Sequence, residues 1–387
     1  MALRNGNYRA FAGGFLASST GLQMLSLGLA WEVYERTHDP LHLGFLGLAR
    51  AVPVLLLALP AGHAADIYDR RRMLIGTQAV FGVLAAALAL CSHNEGPLWL
   101  LYVLVALTGI TRSAHGPSRS SLMPLLVPPE QLHNALTWNS GVFQLSAVGG
   151  PLLSGLLIQS TGQAWPVYAL TAVLCSIAAA TSTRLRPRPS ERVAGTRYTL
   201  AGIGAGMNHL LREKTVLAAL ALDLFAVLLG GSTALMPIYA EILGVGAVGL
   251  GALKAAPYIG AFLVAVLLAH RPPFARAGRA LLWSVAGFGL ATIGFGLSTS
   301  FWLSLALLLI LGGLDNVSVV IRSVLVQVRT PDALRGRVSA VNSLFIEASN
   351  ELGAYESGQV ATWFGPVFSV VSGGVGTLLV VGWVAWK

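Results

Sequence analysis

The chain has 387 residues, 55% of them hydrophobic and 11% charged, with a mean hydropathy of +0.70. Soluble domains carry roughly 25% charged residues, so this chain lacks the polar surface of a water-soluble fold and reads as an integral membrane protein. A dozen spans of ~20 residues each would use up the length, which excludes a separate aqueous enzyme or nucleic-acid-binding domain.

Continuous apolar stretches bounded by charge or by Gly/Pro clusters predict twelve helical spans, near 10–33, 42–65, 73–91, 97–120, 132–158, 164–183, 214–242, 247–270, 279–298, 301–327, 333–361 and 365–386. Barrel strands would alternate over ~10 residues, so the expected class is an all-α integral membrane bundle. Met1 to Arg9 is polar and basic and leads directly into a full-length span, unlike a cleaved leader. Cys91 and Cys175 lie in apolar runs without metal-ligand spacing, so neither a disulfide nor a metal site is expected. The longest connection, Arg184 to Lys214, carries Pro187, Pro189 and seven basic residues. It reads as a cytoplasmic linker, residues 184–213, with an amphipathic stretch on the membrane surface, between six-helix halves at 1–183 and 214–387.

Sorted on this map, twenty of the 25 Lys and Arg fall on one side of the membrane and only Arg36 on the other; Arg50, Arg112, Lys254 and Arg322 lie within spans. The positive-inside rule places both termini and the central linker in the cytoplasm of a cell (plasma or inner) membrane protein. The net charge of +9 is thereby divided among loops, which accounts for it without a nucleic-acid partner.

An internal repeat supports the two halves. Gly47-Leu-Ala-Arg50-Ala-Val-Pro53 in span 2 matches Gly251-Ala-Leu-Lys254-Ala-Ala-Pro257 in span 8, and Pro129-Glu-Gln-Leu132 matches Pro331-Asp-Ala-Leu334. With six spans in each half the repeats share orientation, so an axis along the membrane normal is expected to relate them.

The connection after span 2 reads Gly62-His-Ala-Ala-Asp66-Ile67-Tyr-Asp69-Arg70-Arg71-Arg72. A Gly, an Asp four residues on and then clustered basic residues resemble the signature of the major facilitator superfamily, and the twelve spans, two halves and basic central loop extend that resemblance over the whole chain. Ile67 stands where a basic residue is usual and Asp69 where Gly is common. The resemblance implies the major facilitator fold and a conformational latch made by Gly62, Asp66, Asp69, Arg70, Arg71, Arg72 and Arg119. Asp66 would face the positive N-terminal end of span 11 or pair with Arg119. The alternative is that Arg70 to Arg72 only set topology.

In span 4, Arg112 and Arg119 are seven apart on one helical face, beside His115 and Gly116; an Arg followed four residues later by Gly is similar to the superfamily's fourth-helix pattern. A charge at membrane depth costs about 2.5–3.5 kcal/mol unless it meets water or a partner, so Arg112 is a candidate for proton control or substrate binding, or else a charge paired for packing. His115 reads more simply as a hydrogen-bonded core residue. Span 5 holds Gly149-Gly150-Pro151-Leu-Leu-Ser154-Gly155, similar to the fifth-helix motif that the superfamily shows mainly in antiporters. Ser146 and Ser154 stand where Gly is expected. Gly150, Pro151 and Gly155 are assigned to close helix packing.

Spans 10 and 11 carry Asp315-Asn316-Val-Ser318 with Arg322, then Asp332-Ala-Leu-Arg335-Gly336-Arg337, then Asn350-Glu351-Leu-Gly353. With Arg50 before Pro53 and Asp223 in span 7, this run resembles the enterobactin-exporter-like branch of the superfamily, which handles siderophores and drugs. Asp315 and Arg322 share a face, and Glu347 and Glu351 lie one turn apart. Carboxylates that close in a low dielectric do not readily ionise together, which suits reversible protonation; in the alternative, one Glu pairs with Arg322 and the other reaches water. The proton-coupling candidates are therefore Arg112, Asp223, Asp315, Arg322, Glu347 and Glu351. Gln23, Arg50, Lys254 and Asn350 are candidates to line a substrate cavity, with Ser19 and Ser26 on the same stripe as Gln23.

No nucleotide-binding glycine loop, metal-ligand set or nucleophile with an evident base is present, so an enzyme is not expected. The expected function is proton-coupled export of a small organic molecule by alternating access. Its energy would come from a proton gradient without cofactors, and its partners would be the substrate and the lipid bilayer, the chain acting as a monomer. Import of a small polar solute, or a non-transporting scaffold or sensor of the same fold, are the rival readings.

Overall fold

The computed structural model describes residues 2–188, 207, 210–230, 233–272, 274 and 276–386. Most of the predicted linker, and with it Arg192 and Arg197, lies outside the described residues, as do the side chains of Asp66, Lys214, Asp332, Arg335 and Arg337.

Thirteen α-helices are described: α1 Gly6–Thr37, α2 Pro40–Ile67, α3 Arg70–His93, α4 Leu98–Leu122, α5 Leu132–Thr161, α6 Trp165–Ser182, α7 Lys214–Leu229, α8 Met236–Ile242, α9 Gly246–Ala269, α10 Ala277–Leu297, α11 Phe301–Arg329, α12 Asp332–Phe364 and α13 Pro366–Trp386. Eleven of the predicted spans correspond to one helix each, with ends within a few residues. Helices satisfy every internal backbone group without water, which a lipid-facing chain requires. Local chemistry sets several ends. The Asp69 carboxylate caps α3 by accepting from the Arg72 amide at 2.8 Å. Gly162 ends α5 in the left-handed region, at φ 69°.

The span expected to run unbroken over 214–242 is a correction. It forms two helices: α7 stops at Leu229 with Gly230 as its cap, and α8 begins at Met236 with Pro237 in its first turn. Glycine is a weak helix former and proline favours a first turn, so the apolar run continues while the helix does not.

Among the described residues, nine helices are long and apolar enough to cross a membrane by length and composition. The long α1 and α12 are not in that set: α1 carries the polar run Ser18-Ser19-Thr20 with Gln23, and α12 carries Glu347, Glu351 and Glu356.

The chain divides into two compact units, Met1–Glu32 with Ala49–Thr199 and Val33–Leu48 with Leu200–Lys387. In the first, α3 packs on α4 and α6. Tyr8, Phe11, Leu74, Leu122 and Leu126 form a buried cluster there, into which the Tyr8 hydroxyl donates to the Ala135 carbonyl at 2.7 Å. In the second, α9 packs on α11, α10 on α11 and α13, and α7 on α12 and α13. Leu222, Ala226, Val285 and Ile321 are at the centre of its core.

Each unit contains the same tight crossing. A Cβ added at Gly109 on α4 would lie 2.4 Å from the Arg50 carbonyl oxygen on α2, and one at Gly312 on α11 would lie 1.9 Å from the Pro257 carbonyl oxygen on α9. Gly109 and Gly312 are 203 residues apart, between the repeat offsets of 204 (Gly47 to Gly251) and 202 (Pro129 to Pro331). Only a residue without a side chain lets the two backbones approach so closely.

The hairpin of the second unit, Val33–Leu48, joins α1 to α2 and is held by α8 and α12. Tyr34 donates to Glu241 Oε2 at 2.5 Å, and Thr362 donates to Asp39 Oδ1 at 3.2 Å. Gly44 lies against the Tyr355 backbone, where a Cβ would be 3.1 Å from its Cα, and Gly47 lies against the Glu351 carboxylate.

Candidate functional site

Buried charge is concentrated in the second unit. Arg322 of α11 donates through Nη1 to Asp223 Oδ2 of α7 at 2.5 Å, and the two residues are only 5% and 6% exposed. The pairing departs from the sequence expectation, which set Arg322 beside Asp315 or opposite a glutamate. The contact of α7 with α11 brings Asp223 in from 99 residues away, and Asp315, two turns before Arg322 on the same face, lines a small cavity beside the pair with Asp223, Ser284 and Ser318. Taking an ion pair out of water costs several kcal/mol per ion before their attraction repays it. Such a pair adds little net stability over apolar packing of similar volume.

Glu347 and Glu351 are half-buried on α12. Glu351 lies against Gly47, with its Oε2 3.0 Å from where a Cβ there would stand. Asn350, expected to line a cavity, is exposed, and its amide donates to the Ile346 carbonyl of its own helix at 2.8 Å. Lys254 on α9 is half-buried.

In the first unit, the basic run after α2 is anchored to helix ends. Arg70 donates to the Ser121 carbonyl at 3.3 Å, and Arg71 donates to the carbonyls of Ser182 and Thr183. These carbonyls close α4 and α6, the negative ends of their dipoles, so the cluster fastens three helices together at one rim. Gly62 is buried near the end of α2. Arg119 stacks over the Phe15 ring, 4.0 Å from its centroid, and reaches Asn139 Oδ1 at 3.4 Å.

Arg112 is exposed on α4. His115 is 8% exposed, bonded through Nδ1 to the Thr77 hydroxyl at 3.1 Å and set edge-on to Phe81. That is the geometry of a hydrogen-bonded core histidine. Gly150 of α5 meets α1 so closely that a Cβ would be 2.6 Å from Gln23 Cβ, which puts the half-buried Gln23 at a helix crossing. Pro151 and Gly155 are buried beside it. The two serines that replace glycine in this stretch reach across the same crossing. Ser154 donates to the Met24 carbonyl at 3.2 Å, and Ser146 accepts from Thr20 at 3.2 Å. Small size is kept and interhelical hydrogen bonds are added. Arg50 is half-buried on α2.

Two buried polar residues lie outside the candidate set. Glu32, 3% exposed on α1, accepts from the Tyr168 hydroxyl of α6 at 2.5 Å. Ser318, 1% exposed, faces the Asp223–Asp315 cavity. Glu32 has a sequence signal, an acidic residue inside an apolar span, and Ser318 stands in the run that resembles the exporter branch.

Comparison with known proteins agrees with this architecture. The chain is 26% identical over 380 residues to the enterobactin exporter EntS of Shigella boydii serotype 18, covering 96% of this chain and 90% of that one. Among solved structures, a bacterial homolog of the human lysosomal transporter Spinster, in an inward-facing and occupied conformation, superposes with a TM-score of 0.77 at 14% identity, over 100% of this chain and 97% of that one. A D-xylose–proton symporter gives 0.73 at 14% identity, over 100% and 98%. These two likenesses establish the fold. The family model of the Major Facilitator Superfamily matches residues 11–354. The chain therefore belongs to the Major Facilitator Superfamily: it is a multi-pass membrane transporter of the all-α major facilitator fold, and not an enzyme.

Proposed function

We propose that this transporter is a proton-coupled exporter, an antiporter of a small organic molecule such as a siderophore or drug, working by alternating access between halves 1–183 and 214–387. It acts as a monomer in the cell inner membrane with both termini and the basic linker in the cytoplasm. The observation that carries the reading is the buried Asp223–Arg322 pair with Asp315 beside it. Proton-accepting groups held at membrane depth are costly and mark ion pathways. The similarity to the enterobactin exporter supports export and the substrate class.

Protons entering from outside load one or more of Asp223, Asp315, Glu347 and Glu351, with Arg322 as the neighbouring cation; Arg112 of the other half is a further coupling candidate. Gln23 and Arg50 of the first half, and Lys254 and Asn350 of the second, are the candidates for substrate contact. Gly62, Asp66, Asp69, Arg70 to Arg72 and Arg119 form the cytoplasmic latch, so Asp66→Asn lowers transport without blocking insertion.

The test is uptake by everted vesicles energised with a pH gradient, using a catecholate siderophore as the probe. Accumulation that a protonophore abolishes is expected. Gradient-independent equilibration sinks the coupling, and accumulation in right-side-out vesicles instead makes the protein an importer.

A further inference from the structure

We propose that the small cavity lined by α7, α10 and α11 is a binding site for one water molecule that carries the coupling proton between Asp315 and Asp223, with Ser318 as the residue that positions it. This rests on the proton-coupled reading above and names the site at which it happens.

The polar wall of the cavity consists of Asp223 from α7, Ser284 from α10, and Asp315 and Ser318 from α11; Ala226, Val285 and Phe288 supply apolar wall. Its free space is that of about one water molecule. Such a water needs two to four polar partners to reside there, and the wall supplies them with complementary roles. The Ser284 hydroxyl already donates to the Leu281 carbonyl at 2.8 Å, so toward the cavity it can only accept. The Ser318 hydroxyl has no hydrogen-bond partner although it is buried, and an orphaned buried hydroxyl costs about 1–3 kcal/mol. A water in the cavity accepts from Ser318 and donates to a carboxylate, which removes that cost. Residues 315, 318 and 322 fall on one helical face, so α11 presents carboxylate, hydroxyl and guanidinium in line.

Charge counting sets the proton number. The charged groups acting on Asp223 are Arg322 and Asp315, and the one acting on Asp315 is Arg322. Of the helices that also pack here, α12 carries the half-buried Glu347 and Glu351, which are not part of the cavity wall. Two carboxylates and one guanidinium sum to one negative charge, which a single proton neutralises. In the transfer, the water takes the proton from the Asp315 carboxyl as it gives one of its own to the Asp223 carboxylate. Asp315 is left ionised, Asp223 neutral and the water unchanged. Neutral Asp223 no longer holds Arg322 by charge, and Arg322 is then free to turn to Asp315. The proton thus moves the guanidinium between two helix positions.

The experiment is infrared difference spectroscopy of the purified full-length protein in lipid across a pH titration, which needs no transported substrate. The wild type is expected to show a carboxylic-acid band that titrates, together with a sharp O–H band of a weakly bonded internal water. Asp223→Asn and Asp315→Asn each remove or shift the carboxylic band. Ser318→Val, which has no hydroxyl, abolishes the water band and shifts the carboxylic one, whereas Ser318→Thr, which matches valine in size and keeps the hydroxyl, retains both. A titrating band that the Asn variants abolish but Ser318→Val leaves unmoved, with the water band intact, overturns the relay and leaves the coupling reading standing. Absence of any titrating carboxylic band overturns both.

Discussion

Tyr34 and Glu241 are joined by a 2.5 Å hydrogen bond from the phenol to the carboxylate, tying the last turn of α1 to the short helix α8. The hairpin Val33–Leu48 belongs to the second unit although its flanking residues, Glu32 and Ala49, belong to the first. A crossing of this kind is a lever: whatever loosens the bond loosens the hairpin.

Tyr34→Phe removes the donor and keeps the ring. A hydrogen bond this accessible contributes about 1 kcal/mol, or roughly a fivefold change in local opening. Hydrogen–deuterium exchange should quicken over residues 33–48 and stay unchanged over α3. Uniform exchange across both would show that the bond does not hold the hairpin.

The Asp223–Arg322 pair should respond asymmetrically to mutation. Arg322→Met alone strands a buried carboxylate and costs about 3–5 kcal/mol, whereas Asp223→Leu combined with Arg322→Met returns most of that stability. Thermal unfolding in detergent reads both. The double variant is expected to fold and to have lost gradient-driven transport, which separates the pair's chemistry from its contribution to stability.

Gly312→Ala drives a methyl group to 1.9 Å from the Pro257 carbonyl oxygen, so α9 and α11 must separate. Overpacking of that kind costs about 1–3 kcal/mol. Gly109→Ala should act in the same direction. Gly76→Ala is the control: nothing lies within 4 Å of its Cβ position, and alanine there is neutral or stabilising by up to about 1 kcal/mol. Equal unfolding midpoints for Gly312→Ala and Gly76→Ala would contradict the crossing.

Asp69 stands where the family's pattern has glycine, and it caps α3 through the Arg72 amide. Asp69→Ala should cost about 0.5–2 kcal/mol, while Asp69→Asn, which keeps an accepting oxygen, costs far less. Limited proteolysis near residues 67–72 would separate the two variants.

Span positions were legible because lipid demands long apolar helices: apolar runs bounded by charge or Gly/Pro clusters locate eleven spans, including α1 and α12, whose polar residues keep them out of the nine most apolar helices. The break between α7 and α8 was not, since Gly230 and Pro237 interrupt a helix without interrupting hydrophobicity. Asp223, Asp315 and Arg322 stand out as charges in apolar runs, yet which carboxylate holds Arg322 depends on how α7 packs against α11. Sequence periodicity speaks only within a helix, so it offered Asp315, seven residues away, in place of Asp223. Glu32 was passed over because orientation is read from lysine and arginine alone; its partner Tyr168 is on a different helix. The two serines of α5 looked like departures from a packing motif, and their hydrogen bonds to α1 become visible only once the helices are side by side.

Gly109 and Gly312 bear on the history of the chain. If the repeat arose by duplication of a six-helix ancestor, the two copies have since drifted at most positions, and one now carries Arg50 where the other has Lys254. At the crossing neither copy was free to drift, because any side chain would collide with a neighbouring main chain. A position of that sort keeps time poorly and keeps register well. Internal homology in other highly diverged transporters should therefore be sought first by aligning their main-chain contact glycines, and only afterwards by their charged motifs.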